Sequence, residues 1–283
     1  VGQSAEIELT GSEIVLLGEP INELYALSTL TDGVLKIDTA KLKHSLANAE
    51  MKGALNAQTL LFDAEYTIEV NGLGDLQRFG APALLGSLNT QGKIKANLET
   101  FTGEVVGDFN GAQLRAPDLL AEVPTINGAY RLAGLTDTVS GQADISIIAP
   151  QALGVKVDSI DGKVALNAST KNGLSLTGDV NVGSAEVGDG TVVLAGVGGG
   201  FELAMTAAGE PSFRTKEMTV REIEIVPAQY KVDGGQLYLS LDQGSIKARV
   251  ELLRQQKTFA LMDAKGELST GDWIIEQLVF SPT

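Results

Sequence analysis

The sequence contains no cysteine and a single histidine, His44. Without cysteine the chain has no disulfide framework, no thiolate nucleophile and no cysteine metal site. One histidine is too few for an HExxH zinc site or for another multi-histidine metal centre. We therefore expect a protein that is not an enzyme and that carries no metal and no cofactor.

Positive charge is also scarce, because 21 Lys and Arg residues stand against 36 Asp and Glu residues, for a formal net charge of −15. Affinity for nucleic acid comes mostly from cationic side chains that neutralise phosphates. We therefore expect no nucleic-acid partner. The sequence also lacks any run near the roughly 18 apolar residues that a membrane-spanning helix needs. Aromatic residues make up only 5% of the chain.

The abundant feature is an alternation of apolar and polar residues with a period of two. In residues 64–70 it places Ala64, Tyr66, Ile68 and Val70 on one face and polar side chains on the other. Such alternation is typical of strands with one apolar and one solvated face. The sequence therefore predicts an all-β protein with a mostly antiparallel sheet.

Turn signals separate these runs, and Asn-Gly or Asp-Gly pairs favour tight hairpins. They include Asp32-Gly33, Asp161-Gly162, Asn172-Gly173 and Asp189-Gly190. Their spacing predicts a long meander. Little helix is expected: we assign one turn to residues 72–79 and interpret residues 39–51 as strand.

A glycine-rich stretch, residues 196–200, invites comparison with a dinucleotide-binding loop. That fingerprint needs a glycine at its sixth position and a helix after it. The sixth position is Phe201, and the residues that follow alternate as in a strand. We interpret the stretch as a glycine-rich β-turn.

Three pairs of carboxylates stand close together in the sequence, and two carboxylates about 5 to 10 Å apart could hydrolyse a glycoside. Because they alternate with apolar residues or stand beside turns, we interpret them as solvated faces. Three tyrosines, Tyr66, Tyr230 and Tyr238, are assigned to packing. The carboxylate pairs are Asp158/Asp161, Glu222/Glu224 and Asp263/Glu267.

A resemblance to a known family begins in residues 72–114, with a short turn at residues 74–79 and then LLGSLNTQGKIKANLETFTGEVVGDFNGAQL (84–114). It continues in residues 140–147 and 174–182. These units resemble the repeating units of the TamB branch of the AsmA-like proteins. A related family, typified by YdbH, is similar at this level. The resemblance implies a long, mostly antiparallel meandering sheet, curled into a U-shaped trough like a taco, with an apolar interior and little helix.

The same resemblance implies where the protein works and on what. AsmA-like proteins are anchored in the inner membrane of Gram-negative bacteria, reach across the periplasm and are implicated in moving phospholipids to the outer membrane. TamB-like members also cooperate with an outer-membrane assembly barrel. We therefore expect residues 1–283 to form a single elongated segment of a larger periplasmic protein, with a soft boundary near residues 72–86. Its expected partners are phospholipid acyl chains and, through other parts of the full-length protein, the barrel.

Period-two alternation then selects the residues of a lipid-binding groove, because within each strand these positions share one face. An alternative is a structural or adhesive β-solenoid of a surface protein, which binds no ligand; another is an enzyme built on a β-helix. The expected groove residues are Ile145, Ile147, Val164, Leu166, Leu174, Leu176, Val180, Val182, Leu203, Met205, Leu237 and Leu239.

Overall fold

The protein is described by a computed structural model, which divides into two units, Val1–Gly141 and Gln142–Thr283. The soft boundary expected near residues 72–86 stays a prediction. The structure describes residues 4–16, 19–70, 73–74, 84–117, 121–134, 138–152, 154–169, 171, 173–188, 190–207, 211–242, 244–255, 257–267 and 273–280.

The first unit is a ladder in which each strand pairs antiparallel with the next one along the chain. Among the described residues no pairing joins the first strand to the eighth, so the ladder is open. The strands are β1 (Ser4–Leu16), β2 (Glu19–Thr31), β3 (Val34–His44), β4 (Ala47–Asn56), β5 (Leu61–Val70), β6 (Leu85–Asn97), β7 (Thr102–Ala116) and β8 (Ala121–Ala133).

A two-residue turn fixes the register between β2 and β3. Asp32 and Gly33 have φ of +49° and +80°, and Thr31 lies opposite Val34. Positive φ at both central residues is the requirement of a type I′ turn, whose twist matches that of the flanking strands. The hairpin predicted from this Asp-Gly pair is therefore confirmed.

The strand β9 (Thr138–Ile148) contains the boundary between the units, and the second unit continues as an antiparallel meander. β13 pairs along one edge with both β12 and β11, and along the other with β14. The remaining strands are β10 (Gln151–Ala152), β11 (Val155–Val157), β12 (Ser159–Ser169), β13 (Gly173–Val187), β14 (Val192–Met205), β15 (Pro211–Ile225), β16 (Tyr230–Val232), β17 (Gly235–Asp242), β18 (Ser245–Arg254), β19 (Lys257–Glu267) and β20 (Trp273–Phe280).

The predicted fold class is confirmed as all-β and antiparallel, with little helix. In the part of the chain that is described, helix is limited to short 3-10 turns such as Val226–Ala228. Residues 39–51 are strand, as predicted, and form parts of β3 and β4. The helical turn predicted at 72–79 lies outside the described residues, except for Leu73 and Gly74. No described helix is long and apolar enough to cross a bilayer.

Two predicted turns are wrong because the residues lie inside strands. Asp161 and Gly162 are in β12, where Gly162 stands opposite Val180 of β13. The glycine-rich stretch 196–200 lies within β14. Here Gly196 has φ of +62°, a left-handed conformation that glycine adopts without steric cost.

The residues of β14 before Gly196, from Val192 to Ala195, are apolar at both odd and even positions. The register of β14 with β13 is the same on both sides of this glycine.

Candidate functional site

The candidate site of the second unit is one face of its sheet, because the register aligns apolar residues strand by strand. Paired residues of an antiparallel ladder point to the same face. One row across β12 to β19 consists of Leu166, Leu176, Leu203, Phe213, Leu241, Ile246 and Gly266. Another row, from β12 to β20, consists of Ile160, Val182, Val197, Val220, Gly235, Leu252, Ala260 and Phe280.

We call these two rows and the same-face residues between them the apolar face of the second unit. The two rows contain aliphatic residues, phenylalanine and glycine and no charged residue. The large side chains at the centre of the first row, Leu176 and Leu203, are half-buried rather than fully enclosed. The apolar face is therefore an uncharged and mostly apolar surface that keeps some access to solvent.

The register brings together ten of the twelve residues expected to line a groove. Leu166 lies opposite Leu176, which lies opposite Leu203 on the next strand. At the end of the same strands, Leu174 lies opposite Met205, whose side chain is 41% exposed. The ten residues on the apolar face are Val164, Leu166, Leu174, Leu176, Val180, Val182, Leu203, Met205, Leu237 and Leu239.

An ion pair between β9 and β12 shows on which face of the sheet Ile145 and Ile147 of β9 lie. The Nζ atom of Lys163 lies 4.0 Å from Oδ1 of Asp144, so these two side chains share the polar side. Because neighbouring residues of a strand point to opposite faces, Ile145 and Ile147 lie on the side of Val164. Both are half-buried.

The opposite side of the second unit carries the charges. Glu202 accepts hydrogen bonds from Arg214 and lies 2.9 Å from Nζ of Lys216. These two cations hold the pKa of Glu202 below its usual range. Arg249 donates two hydrogen bonds to Asp263 from the neighbouring strand, lowering the pKa of that carboxyl. The two faces of the sheet are thus chemically distinct.

An open hollow of about 780 Å³ also lies on the polar side of the second unit. Charged side chains of both signs line it, including Glu202, Arg214, Lys247 and Lys265. None of the residues expected to form a groove contributes to it. Phe213 and Leu241, which belong to the first apolar row, also line it beside these opposite charges.

The first unit has an equivalent apolar face. One row across β1 to β8 consists of Ile7, Ser28, Ile37, Gly53, Ala64, Ile94, Val105 and Leu132. Its opposite side again carries cross-strand ion pairs, such as Lys93 with Glu65 at 2.9 Å and Lys43 with Glu23 at 2.7 Å. The Lys93 ammonium lowers the pKa of Glu65.

A hydroxyl cluster interrupts the apolar face of the first unit. The hydroxyls of Tyr66 and Tyr130 hydrogen-bond to each other, and that of Tyr130 lies 2.6 Å from Oγ1 of Thr90. Thr90 in turn donates to the backbone carbonyl of Asp108 at 2.9 Å. Burial and the bond to Tyr130 raise the pKa of Tyr66. The polar atoms of the cluster therefore satisfy one another.

Sequence reasoning missed this cluster, because it assigned Tyr66 to packing and did not consider Tyr130. Tyr66 is packed, with 9% exposure, but Tyr230 and Tyr238 are 39% and 40% exposed. The packing role predicted for those two is wrong. Tyr238 instead lies at the protein surface, where its hydroxyl donates a hydrogen bond to Oε1 of Gln236.

Members of all three carboxylate pairs contact side chains outside their own pair, as Asp263 does with Arg249. Glu222 and Glu224 both contact Lys231, at 2.8 Å and 3.1 Å, and raise the pKa of that lysine. Asp158 accepts a hydrogen bond from Ser184. Within the described ranges no group of three or more His, Asp or Glu side chains could hold a metal ion.

The apolar face and the charged side of the sheet together determine what the candidate site can bind. An uncharged, aliphatic face can sequester hydrocarbon, while the ion-paired side remains in water. No protein-family model matches the chain, and no curated protein or solved structure matches it significantly.

Proposed function

We propose that this chain is a segment of a hydrophobic conduit that binds phospholipid acyl chains and passes them between the inner and outer membranes. In this proposal the sheet curls into a U-shaped trough whose interior is the apolar face. The alignment of uncharged rows from β12 to β20 supports the proposal most directly. The resemblance to the TamB branch of the AsmA-like proteins agrees with it.

The energetics of lipid transfer explain why such a face is needed. Each CH₂ group removed from water contributes about 0.8 kcal/mol, so exposing two acyl chains with roughly 30 carbons in total would cost on the order of 20 kcal/mol. A lining of leucine, valine and isoleucine replaces the membrane hydrocarbon and removes most of that cost. The headgroup stays in water at the open seam and needs no dedicated pocket.

The same chemistry explains how lipid could move. Rows without charged groups offer no strong trap, so an acyl chain can slide from one row to the next. No bond is made or broken, and no catalytic residue is required. As part of the proposal, the protein works in the periplasm and is anchored in the inner membrane through its full-length chain, where it also meets the assembly barrel.

The experiment is lipid extraction and native mass spectrometry of the protein purified from cells. The wild-type chain should carry phospholipid. The variant Leu176→Arg places a charge between Leu166 and Leu203, and it should fold while losing most of the bound lipid. The control is Ser175→Arg, one residue earlier on the opposite face, which should keep its lipid.

The alternative, a structural or adhesive β-solenoid with a filled interior, gives a different result. In a filled core, Leu176→Arg buries an unpaired charge at a cost of several kcal/mol and unfolds the chain. A wild-type protein without lipid, together with an unfolded Leu176→Arg variant, would reject the conduit in favour of that alternative.

A further inference from the structure

The open hollow of about 780 Å³ lies where several strands of the second unit begin or end. Asp242 is the last residue of β17, Ser245 the first of β18 and Glu267 the last of β19, and all three line the hollow. Phe213 and Leu241 of the first apolar row contribute to the same lining. One ligand can therefore contact both charged side chains and hydrocarbon here.

Most charges on the polar side of the second unit are paired, but several in the hollow are not. Glu202 and Arg214, which both line it, form an ion pair with each other. Four other charged side chains of the lining make no ion pair within the described part of the chain and are available to a ligand. They are Lys247, Lys265, Asp242 and Glu267.

The register separates these four charges by sign. Lys247 of β18 stands opposite Lys265 of β19. Two residues closer to the strand ends, Ser245 stands between Asp242 on one neighbouring strand and Glu267 on the other. Residues two apart on a strand share a face and are about 7 Å apart. A cationic row therefore lies beside an acidic row on one side of the sheet.

The two facing lysines favour a negatively charged ligand. Like charges directly opposite each other on neighbouring strands destabilise a sheet, and an anionic group bound between Lys247 and Lys265 would remove that repulsion. A simple anion would also meet Asp242 and Glu267, whose charges offset those of the lysines. The better complement is a zwitterion, with its negative group at the lysines and its positive group at the carboxylates.

The donors and acceptors of the hollow narrow the chemistry further. Two ammonium groups suit a phosphate, which offers several acceptor oxygens. Two carboxylates suit a primary ammonium group, because it donates three hydrogen bonds. A quaternary ammonium has no N–H to donate and is typically held in a cage of aromatic rings. Phe213 is the one aromatic residue of the described lining, so the hollow has no such cage.

We propose that the hollow binds a phosphoethanolamine group. The phosphate lies between the ammonium groups of Lys247 and Lys265. The ammonium group of the ligand donates to the carboxylates of Asp242 and Glu267. A phospholipid headgroup and a soluble phosphodiester can both present this group. As a headgroup site the hollow rests on the proposed function; passage along the apolar face needs no pocket, so the hollow would select among lipids.

Titration calorimetry of the full chain tests the site with soluble probes. The chain should bind glycerophosphoethanolamine, and it should bind glycerophosphocholine about tenfold more weakly, because the quaternary ammonium cannot hydrogen-bond to the carboxylates. Dihexanoyl phosphatidylethanolamine distinguishes the sources: tighter binding than glycerophosphoethanolamine supports a lipid headgroup, and equal binding supports a soluble ligand. Glycerophosphoethanolamine has no acyl chain, so its binding can fail or succeed independently of the conduit.

The variant Glu267→Gln tests the orientation of the ligand. It removes a carboxylate from the ammonium end, so it should weaken glycerophosphoethanolamine by about tenfold. The same change should tighten glycerol phosphate, which has no ammonium group. Lys265→Gln should weaken both probes, whereas Lys163→Gln, on the polar side but outside the hollow, should weaken neither.

Thermal unfolding controls for the fold of these variants. Lys265→Gln should not lower the unfolding temperature, because it relieves the repulsion between facing lysines. A wild-type chain that does not bind glycerophosphoethanolamine overturns the proposal. Binding of glycerophosphocholine with the same affinity also overturns it, and so does a Glu267→Gln variant that binds glycerophosphoethanolamine as tightly as wild type.

Discussion

The hydroxyl of Tyr66 on β5 hydrogen-bonds to the hydroxyl of Tyr130 on β8, 64 residues later in the chain. Between them lie Gly92 on β6 and Gly107 on β7, in one row of the ladder. A Cβ atom on Gly107 would come within 2.8 Å of the Tyr66 hydroxyl and 2.9 Å of the Tyr130 hydroxyl. The two glycines therefore make room for the tyrosines to meet above the sheet.

We expect Tyr130→Phe to destabilise the protein, because it removes the hydrogen bonds that the Tyr130 hydroxyl makes with Tyr66 and Thr90. A hydrogen bond of this kind contributes about 1 kcal/mol to stability. Urea denaturation measures the loss, and Tyr238→Phe, at an exposed tyrosine, should change stability much less. Equal losses of stability in Tyr130→Phe and Tyr238→Phe would show that the hydroxyl cluster contributes nothing to the free energy of unfolding. The double variant Tyr66→Phe/Tyr130→Phe should cost less than the sum of its single changes.

We expect Gly107→Ala to destabilise the first unit by about 1 to 3 kcal/mol, because the added methyl group overpacks the sheet. Besides the tyrosine hydroxyls, it would meet the backbone carbonyl of Gln91 at 2.5 Å. A suitable control is Gly200→Ala, whose Cβ would approach no atom closer than 3.2 Å. Thermal unfolding that is unchanged in Gly107→Ala would contradict the packing described here.

Charge substitutions on the polar side of the second unit should be tolerated. The register places Lys163 opposite Asp179 and Asn167 opposite Ser175, and Asn181 lies on the same side. Substitutions at such surface positions change stability by about 0.5 kcal/mol or less. Chemical denaturation of one charge variant at each position measures this. Broad destabilisation at all five would mean that the faces of these strands are reversed.

The ion pairs of the polar side predict a loss of stability in acid. The pKa values of Glu202 and Asp263 are lowered in the folded chain from ordinary values of 4.5 and 3.8. The stability that these two carboxylates contribute is therefore present at a pH above their ordinary pKa values. It is lost as the pH falls through their lower pKa values in the folded chain. Arg249→Ala should shift the urea midpoint at pH 7 but not below the folded pKa of Asp263.

Lys247→Ala provides the matched control for that pH experiment. Lys247 lies on the same strand and the same side as Arg249, but it stands opposite Lys265 instead of a carboxylate. Lys247→Ala should therefore not produce a change in the urea midpoint that depends on pH. The urea midpoints of wild type and Arg249→Ala could instead differ by the same amount at pH 7 and in strong acid. That result would exclude the Arg249–Asp263 pair as the source of the difference.

Much of the fold was predictable because period-two alternation is a local property. It identified several of the strands and their apolar sides, including Leu174 and Leu176 on β13. A two-residue turn such as Asp32-Gly33 then fixes one register between neighbours. Applied to successive hairpins, these local rules place Leu166, Leu176 and Leu203 opposite one another on neighbouring strands.

The features that sequence reasoning missed depend on several registers at once. The meeting of Tyr66 and Tyr130 requires the registers of all the strands from β5 to β8 and a glycine at each intervening position. Gly162 and Gly196 resemble turn signals in sequence, yet they lie inside strands. A glycine's local freedom does not reveal whether its neighbours reverse direction or continue as a strand.

The central claim is that acyl chains contact the apolar face of the second unit. Photo-crosslinking in cells tests it most directly, with a photoreactive residue at position 176 or, as the control, at position 175 on the opposite side of β13. We predict that position 176 captures phospholipid and that position 175 does not. No lipid captured at position 176, or equal capture at both positions, would contradict the account.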